Sequence, residues 1–286
     1  MPSERELVRR VRSIRNIQQV TKAKQTISAS KMRRAQQAVL ASRPYEEKLR
    51  QILMSLAPYT ETEAHQLLQR REVKRAGIVL VTTDRGLVGA LNTNMVRTAL
   101  RHAEQLPSAG YIVLGRKGIG AVRRLRQPLI AEFSRIGDRP TTAETSAIAR
   151  DAVDEFLRGN VDEVYLAFTR FVSTIKQIPT VRRILPLVPE EERSSELPPL
   201  QYIFEPDPET VLEAVLPRLI SIAVYQAVLE NIASEHSARM VAMRNATDAA
   251  TDLIETYTLA ANKARQWRIT KEMLEIATGA EALAKG

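Results

Sequence analysis

Two glycine-rich stretches are the places where this chain could bind a phosphate. The first, Gly115-x-x-Gly118-x-Gly120, follows an apolar run that ends at Leu114. A dinucleotide fingerprint, G-x-G-x-x-G, sets its first two glycines close together so that the backbone turns tightly and approaches a pyrophosphate. Here the spacing is reversed, no Walker-type lysine motif is present, and turn-making is the stronger reading. The second, Thr83-Asp84-Arg85-Gly86-Leu87-Val88-Gly89, lies at the carboxyl end of another apolar run, the edge at which α/β sheets hold ligands. A structural role is again stronger, with Asp84 and Arg85 holding a glycine-rich turn. The three histidines, His65, His102 and His236, have no second histidine or cysteine at metal-ligand spacing. His236 reads as a polar layer that sets helix register. No Ser, His and Asp set has a recognisable context. The sequence predicts no catalytic residue, no metal and no cofactor.

Charge offers different chemistry. Residues 1–50 hold 13 Lys or Arg against 4 Asp or Glu, which accounts for the whole net charge of +9 and leaves 29 of each sign elsewhere. No acidic residue occurs from Leu7 to Tyr45. The partner of this positive end is expected to be acidic: nucleic acid, lipid head groups or an acidic protein surface. Nucleic acid is the weaker choice, because no aromatic residue for stacking occurs before Tyr45 and basic-zipper readers put their cations beyond the zipper. The absence of cysteine excludes disulfides and thiolate metal sites. No unbroken run of about 18 apolar residues exists to span a membrane. No secretory signal is evident at the start, so a cytoplasmic setting without direct membrane insertion is expected.

Long helices must position these charges. From Arg218 to Ala284 there is no proline, and the only glycine is Gly279. As one helix this stretch is roughly 100 Å long. Alternating steps of three and four from Leu219 visit Ile222, Gln226, Leu229, Ala233, His236, Met240, Met243, Thr247, Ala250, Ile254, Tyr257, Ala261 and Ala264, and 11 of those 14 positions are apolar. That seam needs a partner. The N-terminal stretch supplies one: Leu7, Val11 and Ile14 give a clear stripe that blurs into Val20, Ala23, Ile27, Met32, Ala35 and Val39. Pro44 is expected to kink it or remove a hydrogen bond. Between the helices the period changes. Strands are expected at Gly77–Thr83, Tyr111–Leu114 and Leu129–Phe133, and a hairpin over Val161–Phe171 and Ile178–Val188. Helices are expected at 94–105, 117–126 and 141–157, the last opened by a capping box of Thr141 and Glu144.

The predicted architecture is α+β overall: a long antiparallel coiled coil of N- and C-terminal helices with an inserted α/β, Rossmann-like domain. The boundaries are a shaft helix over 1–58, a linker over 59–75, the α/β domain over 76–189, a proline-rich loop over 190–208 and a second shaft helix over 209–286, bent at Pro217. The segment from Asn262 to Glu272 and the apolar residues after it, Met273, Leu274, Ile276, Ala277, Ala280 and Leu283, outrun the first helix and call for a sheath from other subunits.

These residues together resemble the gamma subunit of the F-type ATP synthase, the central rotor shaft. The likeness is carried by Ile14-Arg15-Asn16-Ile17-Gln18-Gln19-Val20-Thr21-Lys22-Ala23, Ser28–Arg33, Thr83–Leu87 with Gly89, Leu91 and Asn92, Tyr202-Ile203-Phe204-Glu205-Pro206, Ala238–Met243, Asn245–Asp248, Asn262–Glu272 and Gly279-Ala280. It implies a non-catalytic rotor that transmits torque between the membrane c-ring and the alpha/beta catalytic head, on the cytoplasmic face of a bacterial cell membrane. The implied partners are the alpha and beta subunits, the epsilon subunit and the c-ring, with no nucleic acid. Position by position, it implies beta-subunit contacts at Lys22, Lys24, Lys31, Arg265, Gln266, Thr270 and Glu272. It implies epsilon and c-ring contacts at Tyr202, Phe204 and Glu205. The chain departs from the family pattern at Lys24, where methionine is usual, at Trp267 and Arg268, where small residues are expected, and at Val88, which replaces a common cysteine. A basic coiled-coil protein that binds nucleic acid or acts as a scaffold is the alternative expectation, and a nucleotide-dependent enzyme built on the inserted domain is a third.

Overall fold

The computed structural model describes residues 2–56, 59, 65–187 and 204–284, the last four by backbone alone. The chain divides into two compact units, Met1–Ile27 with Met240–Gly286 and Ser28–Arg239. The boundary falls inside both long helices, α1 (Glu4–Leu56) and α5 (Pro208–Ala284).

Each long helix begins where its sequence supplies a cap. The Ser3 hydroxyl accepts the Glu6 amide at 3.3 Å, and Glu4 and Glu6 sit in the first turn of α1, where the helix dipole favours acids. Asp207 accepts the Thr210 amide at 2.8 Å ahead of α5, and Pro208 takes the first helical position, which needs no N–H. Both helices run through their internal prolines, Pro44 and Pro217. At each, the carbonyl four residues earlier loses its amide donor, the second of the two outcomes expected for Pro44.

In the first unit α1 and α5 pair antiparallel. The Thr247 hydroxyl lies 2.8 Å from that of Thr21, Gln18 donates to Thr251 at 2.8 Å, the Arg10 guanidinium lies 5.9 Å from the Tyr257 ring centre, and Arg268 bonds Glu4 at 3.0 Å. Partner numbers rise on α5 as they fall on α1. Every one of the 14 seam positions from Leu219 to Ala264 is buried or half-buried.

The facing seam on α1 differs from the expected one. Steps of three and four from Glu4 give Leu7, Val11, Ile14, Gln18, Thr21, Gln25 and Ser28, and all are buried or half-buried. Val20 and Ile27, expected on the stripe, are instead 54% exposed, as is Ile17, and Ala23 is exposed. Geometry decides this. Val20 and Ile27 each precede a seam residue by one position, about 100° around the helix. Bringing them inward would turn Leu7 and Val11 out.

The second unit holds a five-stranded sheet in the order β3-β2-β1-β4-β5. Its strands are β1 (Ala76–Val81), β2 (Ala109–Leu114), β3 (Leu129–Phe133), β4 (Glu163–Phe171) and β5 (Gln177–Leu185). The first four are parallel and β5 pairs antiparallel to β4, as the hairpin pattern predicts. The crossovers are α2 (Leu91–Ala103), α3 (Arg116–Arg124) and α4 (Thr142–Leu157). The first two cover a core of Ile78, Leu80, Met95, Val96, Ala99, Tyr111, Val113, Val122 and Ala167. The capping box of α4 forms both ways: Glu144 N donates to the Thr141 hydroxyl at 3.3 Å, and Thr141 N donates to the Glu144 carboxylate at 2.7 Å.

Between Leu212 and Ser237 α5 is buried on most of its circumference. An 18-residue window of the helix reaches a mean hydropathy of 1.5, but 61% of it lies inside the fold. A core helix and a membrane helix look alike by composition, and burial marks this one as core.

Candidate functional site

The sheet edge where an α/β domain would hold a phosphate is filled by the chain itself. Gly115 has φ +100°, and a Cβ there would lie 2.4 Å from the Thr82 carbonyl oxygen. A Cβ on Gly118 would lie 2.6 Å from the Thr82 hydroxyl and 2.9 Å from Val113. These two glycines let α3 lie against β1 and β2. The first amides of α3 are then consumed: Arg116 N donates to Asp84 at 3.0 Å, Lys117 N to the Thr83 carbonyl at 3.1 Å and Gly118 N to the Thr82 hydroxyl at 2.9 Å. The second Asp84 oxygen accepts Arg135 N at 2.8 Å. An anion at this helix start would have to displace a fixed carboxylate. Asp84 was expected to hold its own glycine-rich turn; its carboxylate instead holds the start of α3 and the loop after β3. Arg85 is exposed, and its carbonyl accepts from the Thr83 hydroxyl at 2.6 Å.

His236 does not form a polar layer between the long helices, as its seam position suggests. It is 3% exposed, and its Nε2 lies 3.0 Å from Asp138, in the loop after β3. The other Asp138 oxygen accepts Lys31 of α1. Burial alone would raise the Asp138 carboxyl, but Lys31 and His236 outweigh it and hold it below the usual carboxylate range. Burial pushes His236 down, so the imidazole favours its neutral form despite the nearby carboxylate. Arg239 pairs with Glu235, whose carboxyl burial raises. Lys31 is thus engaged within the second unit. Asp138 had no signal in the sequence beyond an ordinary loop composition.

The other expected contact residues lie on open helix surface. Lys22 and Lys24 are exposed on α1, in the same unit as the outward apolar stripe of Ile17, Val20 and Ile27. That stripe was concealed in the blurred periodicity of α1, which in fact superposes two faces. Arg265, Gln266, Thr270 and Glu272 are exposed on α5. The Thr270 hydroxyl bonds back to the Gln266 carbonyl at 3.0 Å, and Glu272 lies 3.4 Å from Arg268. Trp267 is 70% exposed, and Met273, Leu274 and Ile276 lie open beyond the Arg268–Glu4 ion pair. The Phe204 ring lies 5.8 Å from that of Tyr59, and Glu205 is exposed. Tyr202, and the proline-rich loop up to residue 203, lie outside the described residues.

These surfaces define a class: a protein of two long paired helices with exposed charged and apolar faces, and an α/β domain whose phosphate edge is closed. A family model described as ATP synthase matches residues 3–283. The ATP synthase gamma chain of Dehalococcoides mccartyi strain CBDB1 is 47% identical over 290 residues, covering 99% of this chain and 100% of that one. The ATP synthase gamma chain of Roseiflexus castenholzii is 46% identical over 291 residues, with both chains covered in full. A chain of the Euglena gracilis mitochondrial ATP synthase shares the fold with a TM-score of 0.69 at 22% identity, covering 98% of this chain and 94% of its own. A chain of the Tetrahymena thermophila mitochondrial ATP synthase, from its central stalk and c-ring, does so at 0.60 and 24% identity, covering 79% and 99%. The chain belongs to the ATP synthase gamma chain family, the non-catalytic rotor subunit of the membrane-associated ATP synthase complex. The nucleic-acid and scaffold alternative finds no support among these relatives.

Proposed function

We propose that this chain transmits torque between a membrane c-ring and a head of alpha and beta subunits, coupling proton flow to ATP synthesis or hydrolysis at the cytoplasmic face of a bacterial membrane. The observation that carries the reading is the end of α5. Beyond the Arg268–Glu4 contact the helix continues with Ile269, Met273, Leu274 and Ile276 between 42% and 73% exposed. Apolar surface on this scale marks an interaction site. A bore lined by other subunits would cover it without fixing its rotational position. Lys22 and Lys24, beside the outward stripe of Ile17, Val20 and Ile27, suit a partner that presents carboxylates around an apolar ridge. They are assigned to the beta subunits together with Arg265, Gln266, Thr270 and Glu272. Lys31 is assigned there too, by a contact that must share its ammonium with Asp138. Phe204 and Glu205, with Tyr202, are assigned to the epsilon subunit and the c-ring. The domain divisions follow the same reading, with shaft helices over 1–58 and 209–286 around an α/β domain over 76–189.

The test is the Arg265→Ala/Gln266→Ala variant, reconstituted with its alpha and beta partners. ATP turnover should fall several-fold while the circular dichroism of the isolated chain is unchanged. Normal turnover in a fully assembled complex would refute the beta assignment.

A further inference from the structure

Helices α2 and α3 border an open groove of about 770 Å³ on the second unit. Its walls are cationic: Arg97 and Arg101 on α2, and Arg116, Lys117 and Arg124 on α3, against the single acid Glu104. All five cations are exposed. Arg116 lies 3.7 Å from Asp84, and among the described residues Arg97, Arg101, Lys117 and Arg124 have no ion-pair partner. Four unpaired cations on facing helices repel one another, a cost that an acidic occupant would remove. Val96, Leu100 and Ala121 supply apolar surface between them.

Gly120 is the second, independent observation. It lies inside α3 and lines the groove, yet a Cβ there would meet nothing within 4 Å. Gly115 and Gly118 are required by the closeness of Thr82, whereas Gly120 is not required by any packing among the described residues. A helix-interior glycine costs about 1 kcal/mol relative to alanine. A bare stretch of helix flanked by cations suits a second backbone that approaches closely.

We propose that the α2–α3 groove docks an acidic, amphipathic polypeptide segment of a partner protein, with its carboxylates on Arg97, Arg101, Lys117 and Arg124 and its backbone or a small side chain against Gly120. A compact phosphate fits less well. The α3 amides that would cradle it are held by Asp84, Thr83 and Thr82. The cations are also spread out, with Lys117 and Arg124 about 10 Å apart along the helix. Arginine serves carboxylates well, because its planar fork binds both oxygens.

The probe is a fluorescein-labelled 16-residue helical peptide with glutamates on one face and a leucine–alanine stripe on the other, titrated against the full chain by anisotropy. Tripolyphosphate serves as the competing ligand. The proposal expects saturable peptide binding that weakens about tenfold in Arg101→Glu/Arg124→Glu and also weakens in Gly120→Leu. Circular dichroism of both variants should match the parent. Undiminished binding in Arg101→Glu/Arg124→Glu would overturn the groove as the site. Undiminished binding in Gly120→Leu would overturn the close approach. Groove-dependent binding of tripolyphosphate that is tighter than that of the peptide would assign the groove to phosphate and overturn the polypeptide occupant.

Discussion

Alanine at Gly118 sets two effects of opposite sign against each other, and their sizes decide the outcome. Inside a helix the change is worth about 1 kcal/mol in favour of alanine. Against it, the new methyl would lie 2.6 Å from the Thr82 hydroxyl and 2.9 Å from both Thr82 Cγ2 and Val113 Cγ1. Thr82 cannot turn aside freely. It is 5% exposed, its hydroxyl donates to the Leu114 carbonyl at 2.8 Å, and it accepts Gly118 N at 2.9 Å. Overpacking of this kind costs about 1–3 kcal/mol, and a buried hydrogen bond broken in relief adds about 1 kcal/mol. The balance is a net loss of about 2 kcal/mol. At about 2–4 °C per kcal/mol for a chain of this size, the thermal midpoint should drop by about 4–8 °C. Gly120→Ala is the matched control: with nothing within 4 Å, only the propensity gain remains and the midpoint should rise by about 2–4 °C. Thermal unfolding of the purified chain, followed by circular dichroism, reads both. If Gly118→Ala equals or exceeds Gly120→Ala in stability, close helix–strand packing is not the reason for the glycine.

Two further outcomes follow from the charged clusters. His236 is pushed down by burial, so between its folded value and the ordinary histidine value near 6.5 the unfolded chain binds more protons. Stability should therefore fall as pH drops below about 6.5, and His236→Gln should flatten that slope in urea titrations between pH 7 and 5. Glu230 and Glu235, which burial raises, act in the opposite sense, and the difference between parent and variant removes their contribution. An identical slope would show that His236 is not kept neutral in the fold. Glu46 is 8% exposed and accepts from Arg50 at 2.8 Å and Arg182 at 3.3 Å, so Glu46→Ala should cost about 3 kcal/mol, chiefly by removing the carboxylate that faces the desolvated Arg182 guanidinium. Glu46→Leu/Arg182→Met should cost less than that single change, measured by the same unfolding midpoint.

The two long helices, their antiparallel pairing and the strand–helix alternation between them were legible in the sequence because each follows from a local period. Eleven apolar residues on one seam leave few other arrangements. The Thr141–Glu144 box and the parallel strands needed no distant information either. The proposed contact residues rest on charge and on the family likeness, since Lys22, Lys24, Arg265 and Gln266 stand out only when a partner is supposed.

Only the tertiary structure decided which face of α1 turns inward. Thr21, Gln25 and Ser28 are poor seam residues by type, and they hold those places because Leu7 and Val11 further along fix the rotation of a rigid helix. It also decided what Asp84, Asp138 and His236 do. Asp84 meets its amide donors 32 and 51 residues away, and His236 meets Asp138 across 98. Periodicity records which side of an element is apolar. It carries no record of which loop will arrive beside a given side chain, because that depends on how the whole sheet and its crossovers pack.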